Sequence, residues 1–355
     1  MVTAATPIQL GMPSAASGLL DRFGRRATDL RISLTDKCNL RCSYCMPAEG
    51  LSWLQRSQVL TAAEIFRLVR IAVDSLAVRE LRLTGGEPLV RADLVEIIAG
   101  LRAAHPELPI SMTSNAVGLA KKAAALKQAG LSRINISLDS LHPETFAQLT
   151  RRPFLDQVLA GIDAALAAGL TPLKVNAVLM RGINDAEAAE LLAWCLERSI
   201  ELRFIEQMPL DADHGWTREG MITAAETREL LSSRFVLAPD PRLRDGAPAE
   251  RFEVRLPDSA ELLGTVGIIA SVTEPFCADC RRTRITAEGK VMSCLFSREE
   301  VDLLALLRSD ADDDAIAARW QQAMWAKPKA HGMDHVGLDS ADYVQSERSM
   351  SAIGG

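Results

Sequence analysis

Cys38-Asn39-Leu40-Arg41-Cys42-Ser43-Tyr44-Cys45 spells C-x3-C-x2-C, directly after an apolar strand pattern at residues 30–34. Three thiolates this close in sequence suit one soft metal centre, and an iron–sulfur cluster is the usual occupant. Structural zinc asks for four ligands, commonly two C-x2-C knuckles, and fits three thiolates poorly. An odd number of cysteines also argues against a disulfide set. The next cysteine is Cys195, so a [4Fe–4S] cluster held here keeps one iron open to a small-molecule ligand.

A strand that runs into a chemically loaded loop is the arrangement of the C-terminal mouth of a β/α barrel. The pattern continues outward from it. Thr61-Ala62-Ala63-Glu64 is a capping box that opens a helix to about residue 76. Strands are predicted at 80–83, 109–113, 133–138, 173–179 and 201–205, separated by helices at 93–104, 121–129, 154–168 and 186–198. Six strands alternating with helices imply a parallel sheet with right-handed crossovers, and six units are too few to close an eightfold barrel. The expected fold is α/β: an open, partial (β/α)6 barrel followed by a C-terminal α+β extension. Residues 207–220 read as a linker or lid, followed by a helix at 223–232 and a Pro/Gly-containing loop at 239–249. Strands at 252–256 and 265–270 and helices at 301–307 and 315–326 complete the chain. The division is a disordered leader at 1–21, a barrel at 22–220 and a C-terminal region at 221–355.

The 355 residues are 48% hydrophobic and 24% charged, as in an ordinary soluble globular protein. No apolar run has membrane-spanning length, and the leader carries no Lys or Arg in the manner of a signal peptide. The expected location is cytoplasmic. A net charge of −6 argues against a general nucleic-acid surface, although a few arginines in a cleft suffice to hold a small anion.

Of the seven cysteines, a second triad reads Cys277-x2-Cys280-x13-Cys294. By spacing alone it fits part of a zinc knuckle as well as a second cluster. Its nearest histidines, His331 and His335, lie in a polar stretch and read as surface residues. Cys195 sits in an apolar helix pattern and reads as core. Arg282-Thr283-Arg284 follows the second triad, Gly85-Gly86 follows the second strand, and the chain ends Gly354-Gly355.

The cysteine motif, with Thr84-Gly85-Gly86-Glu87-Pro88 downstream, resembles the radical S-adenosylmethionine (SAM) superfamily. The second triad, the R-x-R element and the Gly-Gly terminus narrow the resemblance to the MoaA-type GTP 3′,8-cyclases of molybdenum cofactor biosynthesis. It runs from about Arg22 to the last residue. The resemblance implies two [4Fe–4S] clusters, on Cys38, Cys42 and Cys45 and on Cys277, Cys280 and Cys294. It implies SAM contacts at Tyr44, Gly86, Ser137 and Met208. GTP contacts fall at Arg31, Arg82, Thr113, Lys174, Arg282, Thr283 and Arg284, with catalytic roles at Arg282, Arg284, Gly354 and Gly355. The implied lyase reaction uses a 5′-deoxyadenosyl radical to take the ribose 3′ hydrogen of GTP. C3′ then closes on C8, giving (8S)-3′,8-cyclo-7,8-dihydroguanosine 5′-triphosphate. A homodimer, a flavodoxin or ferredoxin electron donor, and a MoaC-type cyclic pyranopterin monophosphate synthase downstream are implied partners. The family usually has Thr-Asn-Gly after the third strand, where this chain has Ser114-Asn115-Ala116. If that turn needs a positive φ, alanine is costly there.

Two other readings stand beside it. A radical SAM enzyme that modifies a peptide usually carries more C-terminal cysteines. The other is a non-catalytic iron–sulfur or zinc-binding regulator, which metal analysis would separate.

Overall fold

The computed structural model describes residues 18–331, 348 and 350–354. Its first half is β1 (Asp29–Ser33), α1 (Ala62–Asp74), β2 (Glu80–Thr84), α2 (Leu94–Ala104), β3 (Ile110–Ser114), α3 (Ala123–Gln128), β4 (Arg133–Ser137), α4 (Pro143–Thr150), α5 (Leu155–Ala167), β5 (Lys174–Val178), α6 (Ala188–Glu197) and β6 (Glu201–Ile205). The second half is α7 (Ala224–Ser232), β7 (Val236–Pro239), β8 (Glu250–Arg255), β9 (Gly264–Ile269), β10 (Arg282–Ile285), β11 (Lys290–Met292), β12 (Val301–Asp302), α8 (Leu304–Leu307), α9 (Asp313–Trp325) and α10 (Met350–Ile353).

Alternation along each strand builds the molecule. Leu30 and Ile32, Leu81 and Leu83, Ile134 and Ile136, and Leu202 and Phe204 join helix residues such as Ile65, Ile97 and Val158 in one core. The intervening positions, among them Arg31, Arg82, Thr113, Ser137, Asn176 and Arg203, turn to the other, concave face because successive side chains on a strand point to opposite sides. The core therefore lies between sheet and helices, and the concave face is left for polar chemistry.

The sheet has twelve strands in the order β12-β11-β10-β1-β2-β3-β4-β5-β6-β9-β8-β7. The six expected parallel strands sit at its centre. The C-terminal region extends them at both edges: β10 pairs parallel with β1 and β9 pairs parallel with β6. The boundary drawn at 220/221 thus crosses one continuous sheet. The sheet is open, as expected, because β9 and β10 do not pair with each other.

Several local expectations are corrected. The segment 301–307 begins as strand β12, and its helix covers only Leu304–Leu307. Helix α4 lies where no element is predicted, its eight residues being too short to show a period. Residues 18–21 of the expected leader are packed, with Leu19 and Asp21 buried and Leu20 bridged to Arg26. Residues 1–17 lie outside the described residues. None of the described helices is long and apolar enough to cross a membrane.

Candidate active site

The strands' C-terminal ends surround a cleft enclosing about 2070 Å³, part of it open to solvent. All six triad cysteines line it, together with Tyr44, Gly86, Ser137 and Met208, and with Arg31, Arg82, Thr113, Arg282 and Arg284. Two elements hold the first triad. Arg41 and Ser43 donate their backbone N–H groups to Thr150 and Leu149 at the end of α4, at 2.9 Å each. From the other side, Asn115 Nδ2 donates to Asn39 Oδ1 at 2.6 Å and lies 3.7 Å from Cys38 Sγ. Tyr44 Oη donates to the buried Asp139 at 2.7 Å.

Gly85 and Gly86 have a different local reason from the one their motif suggests. The Gly86 N–H bonds Thr35 O at 2.7 Å, and the Glu87 N–H bonds Lys37 O at 2.8 Å. A Cβ on Gly86 would collide with the carbonyl oxygens of Asp36 and Lys37. The glycines let the loop lie directly on the backbone that leads into Cys38. Glu87 then ties this loop to the end of β3, accepting from Leu89 N (2.9 Å), Ser114 Oγ (2.8 Å) and Asn115 N (2.6 Å). Burial pushes its carboxyl up to about 7 against those hydrogen bonds.

The second triad lines the same cleft. Lys327, itself buried, donates to Cys280 Sγ at 3.1 Å and to Arg282 O at 2.8 Å. Arg282 Nη2 lies 3.2 Å from the same sulfur, its guanidinium over the Phe276 ring. Burial alone would raise the Cys280 thiol, but these two cations outweigh it and pull it down to about 6. In the first triad burial dominates and pushes Cys38 up to about 11. Metal binding displaces such protons.

The donor set fits iron–sulfur chemistry at both places: three free thiols directed at one cavity. Among the described residues no three Cys, His, Asp or Glu side chains group as a single metal ion requires. A cubane takes a wider arrangement, each of the three thiolates on a different iron.

Between the triads the floor is cationic. Arg284 and Arg82 flank Arg31 in register on neighbouring strands. Burial first, then mutual repulsion, lowers Arg31 and Arg284 to about 9. Among the described residues, the buried Nε atoms of Arg31 and Arg82, and both Nε and Nη2 of Arg203, have no hydrogen-bond partner. Arg203 was not foreseen. Its signal was available, because its position on β6 alternates with the buried Leu202 and Phe204. Arg25 belongs to none of the motifs named in the sequence. It lines the cleft and donates to the carbonyls of Cys277 (2.7 Å), Pro328 (2.5 Å) and Lys329 (2.8 Å).

Three residues singled out in the sequence, Thr283, Lys174 and His331, sit differently from the rest. The side chain of Thr283 is fully buried on the other face of β10, accepting from Trp320 Nε1 at 2.9 Å. Lys174 is outside the cleft lining and is paired with Glu201 at 2.8 Å. His331 lines the cleft, its ring 4.9 Å from that of Phe296, so it is not a surface residue; His335 lies outside the described residues. At the tail, Gly354 O accepts from Arg284 Nη1 at 2.6 Å and Ile353 O accepts from Ser33 Oγ at 3.0 Å. Gly354 takes φ 80° beside Thr84 and Gly85, which glycine tolerates without strain. Gly355 lies outside the described residues.

Comparison with known proteins agrees with this picture. Residues 32–195 match the Radical SAM superfamily, and residues 200–333 match the family described as Molybdenum Cofactor Synthesis C. The chain is 75% identical to the GTP 3′,8-cyclase of Paenarthrobacter nicotinovorans, over 96% of this chain and 98% of that protein. It is 55% identical to the GTP 3′,8-cyclase of Streptomyces coelicolor, over 95% and 96%. Among solved structures, Streptococcus suis SuiB bound to S-adenosylmethionine shares the fold, with a TM-score of 0.57 and 16% identity over 83% of this chain and 68% of that one. Barrel, cysteine loop and Gly-Gly loop together define a radical SAM protein, a class that carries a [4Fe–4S] cluster and uses S-adenosylmethionine. Within that class, the chain belongs to the GTP 3′,8-cyclase family.

Proposed function

We propose that the cleft performs GTP 3′,8-cyclisation, the first group holding SAM and the cationic floor holding GTP. The observation that carries the substrate is the set of buried guanidinium donors on Arg31, Arg82 and Arg203 with no hydrogen-bond partner among the described residues. Buried donors are normally satisfied, and guanidinium groups match phosphate oxygens bidentately. A polyanion laid along β10, β1, β2 and β6 completes them. When bound, the cluster and SAM supply a radical able to take hydrogen from C3′ of the ribose, after which C3′ closes on C8.

The chain's own groups do the placing. Cys38, Cys42 and Cys45 hold the first cluster. Tyr44, Gly86, Ser137 and Met208 surround the space for SAM. Cys277, Cys280 and Cys294 hold a second [4Fe–4S] cluster, with Lys327 and Arg282 countering the thiolate charge of Cys280. Arg284 serves both the phosphates and the tail glycine. The walls confine a reactive radical and limit the side reactions open to it. A homodimer, a flavodoxin or ferredoxin donor and a MoaC-type synthase acting on the product belong to the same reading, as does a cytoplasmic location.

The test is anaerobic turnover with GTP deuterated at C3′. Deuterium in 5′-deoxyadenosine and a cyclised GTP isomer are expected. Unlabelled 5′-deoxyadenosine with intact GTP would defeat the substrate assignment and favour a peptide substrate. Metal analysis is expected to give about eight iron per chain, and zinc in the second site would remove the two-cluster reading.

A further inference from the structure

Arg348 lies just before α10, outside both cysteine sites. Its Nη2 is 2.5 Å from Glu288 Oε1 and 2.8 Å from Glu300 Oε2, and its Nε makes a second short contact with Glu300. Lys290 Nζ closes the group, at 2.9 Å from Glu288 and 3.3 Å from Glu300. Two acids and two bases thus form a neutral quartet in which each acid meets both bases. The two carboxylates are mostly covered, with 17% side-chain exposure each, and Arg348 is at 24%. Glu288 sits in the turn that follows β10, the strand that carries Arg282 and Arg284. The same segment that meets the quartet ends, six residues on, with Gly354 O on Arg284. Between these points the Met350 N–H bonds Leu210 O at 3.0 Å, and Ile353 is buried.

We propose that Arg348 is the positioning residue of the C-terminal tail. With Glu288, Lys290 and Glu300 it forms a charged latch that fixes the tail to the β10–β11 hairpin and delivers Gly354 to Arg284. The inference rests on the reading that Arg284 belongs to the substrate site. A network of several charges holds a segment more firmly than an isolated surface pair, and salt weakens it because the charges are only partly covered. The latch lets the tail tip reach the floor of the cleft without a covalent tether near it. Its position also makes tail placement follow any movement of the R-x-R strand.

The experiment follows release of the C-terminal residues by carboxypeptidase from full-length, anaerobically reconstituted protein, read by mass spectrometry. Arg348→Met, and separately the pair Glu288→Gln and Glu300→Gln, are expected to accelerate release about tenfold. Arg348→Lys, which keeps the charge but loses the two-nitrogen contact with Glu300, is expected to release faster than the parent and more slowly than Arg348→Met. Potassium chloride at about 0.5 M should speed release from the parent several-fold and from Arg348→Met less than about twofold. Parental rates in Arg348→Met, or an equal response to salt in parent and variant, overturn the latch. The salt comparison on the parent decides the matter if a variant misfolds. Binding of labelled GTP to Arg284→Ala is measured in parallel. Undiminished binding there sinks the substrate-site reading while the digestion rates still judge the latch.

Discussion

Glu87 shows how a single buried side chain couples two functional loops. Its carboxyl joins the Gly-Gly loop to the end of β3, and burial pushes its pKa from an ordinary carboxylate value to about 7. The folded chain therefore keeps this proton to higher pH than the unfolded chain does. The associated stability is complete below about pH 4.5 and is lost as pH rises through about 7. The urea midpoint is expected to fall across that window by the equivalent of about 1–3 kcal/mol, and the fall should be shallower in Glu87→Gln. That variant should also be less stable at pH 5, since its amide presents a donor to one of the N–H groups of Leu89 and Asn115. A second residue, Ala116, stands where the family resemblance implies glycine, and it does take a positive φ of 61°. Its methyl is buried against α5, where a Cβ on Gly161 would come within 3.1 Å of it. The left-handed strain of about 1–2 kcal/mol is offset by methyl burial of about 0.8 and by glycine's unfolded-state entropy of about 0.4–1. Ala116→Gly is thus expected to change stability by less than about 1 kcal/mol, whereas Ala116→Val should lose about 2–4 by thermal or urea melts.

At the scale of elements, strand alternation decides which motif residues reach the cleft. β10 reads Arg282-Thr283-Arg284-Ile285, so its arginines face the cleft and Thr283 faces α9. The resemblance implies three substrate contacts in a row; the pleat turns two of those side chains toward the cleft. Thr283→Val is expected to leave GTP affinity within about twofold while costing about 1–2 kcal/mol of stability, because Trp320 Nε1 loses its acceptor. Arg284→Ala should lower GTP affinity at least about tenfold in equilibrium dialysis. The central strands and helices were legible because their apolar residues keep clear periods of two or near 3.6. Helix α4 and strands β7, β10, β11 and β12 were not, being too short to establish a period. Their placement comes from long-range pairing, such as Lys290 opposite Asp302, that no local pattern encodes. The same limit hid the role of α4 in holding the cysteine loop.

Across the whole molecule, the site is closed by segments distant in sequence, which explains what the sequence could not display. The six cysteines and most cleft arginines were legible from motifs, and the cleft collects them. Arg25 and Lys327 were not, because a lone cation carries no pattern and their partners lie 252 and 47 residues away. Arg25 is the strongest of these ties. One guanidinium serves Asp21 on its own segment at 2.5 Å, the carbonyl of Cys277 and the carbonyls of Pro328 and Lys329. It thereby joins the start of the described chain to the second triad and to the segment after α9 that carries Lys327. The first triad is held by different groups, at α4 and Asn115, so the two sites should fail independently. In Arg25→Ala three carbonyls lose a charged donor and Asp21 is left without that partner, a loss of about 2–4 kcal/mol. Reconstituted Arg25→Ala is expected to hold about four iron per chain in place of about eight, while SAM cleavage by the first site persists and GTP affinity drops. Full iron content in that variant would show that the second site does not depend on this clamp. Loss of all iron would show that the two triads are not independently supported, contrary to the separate hydrogen-bond frames that hold them.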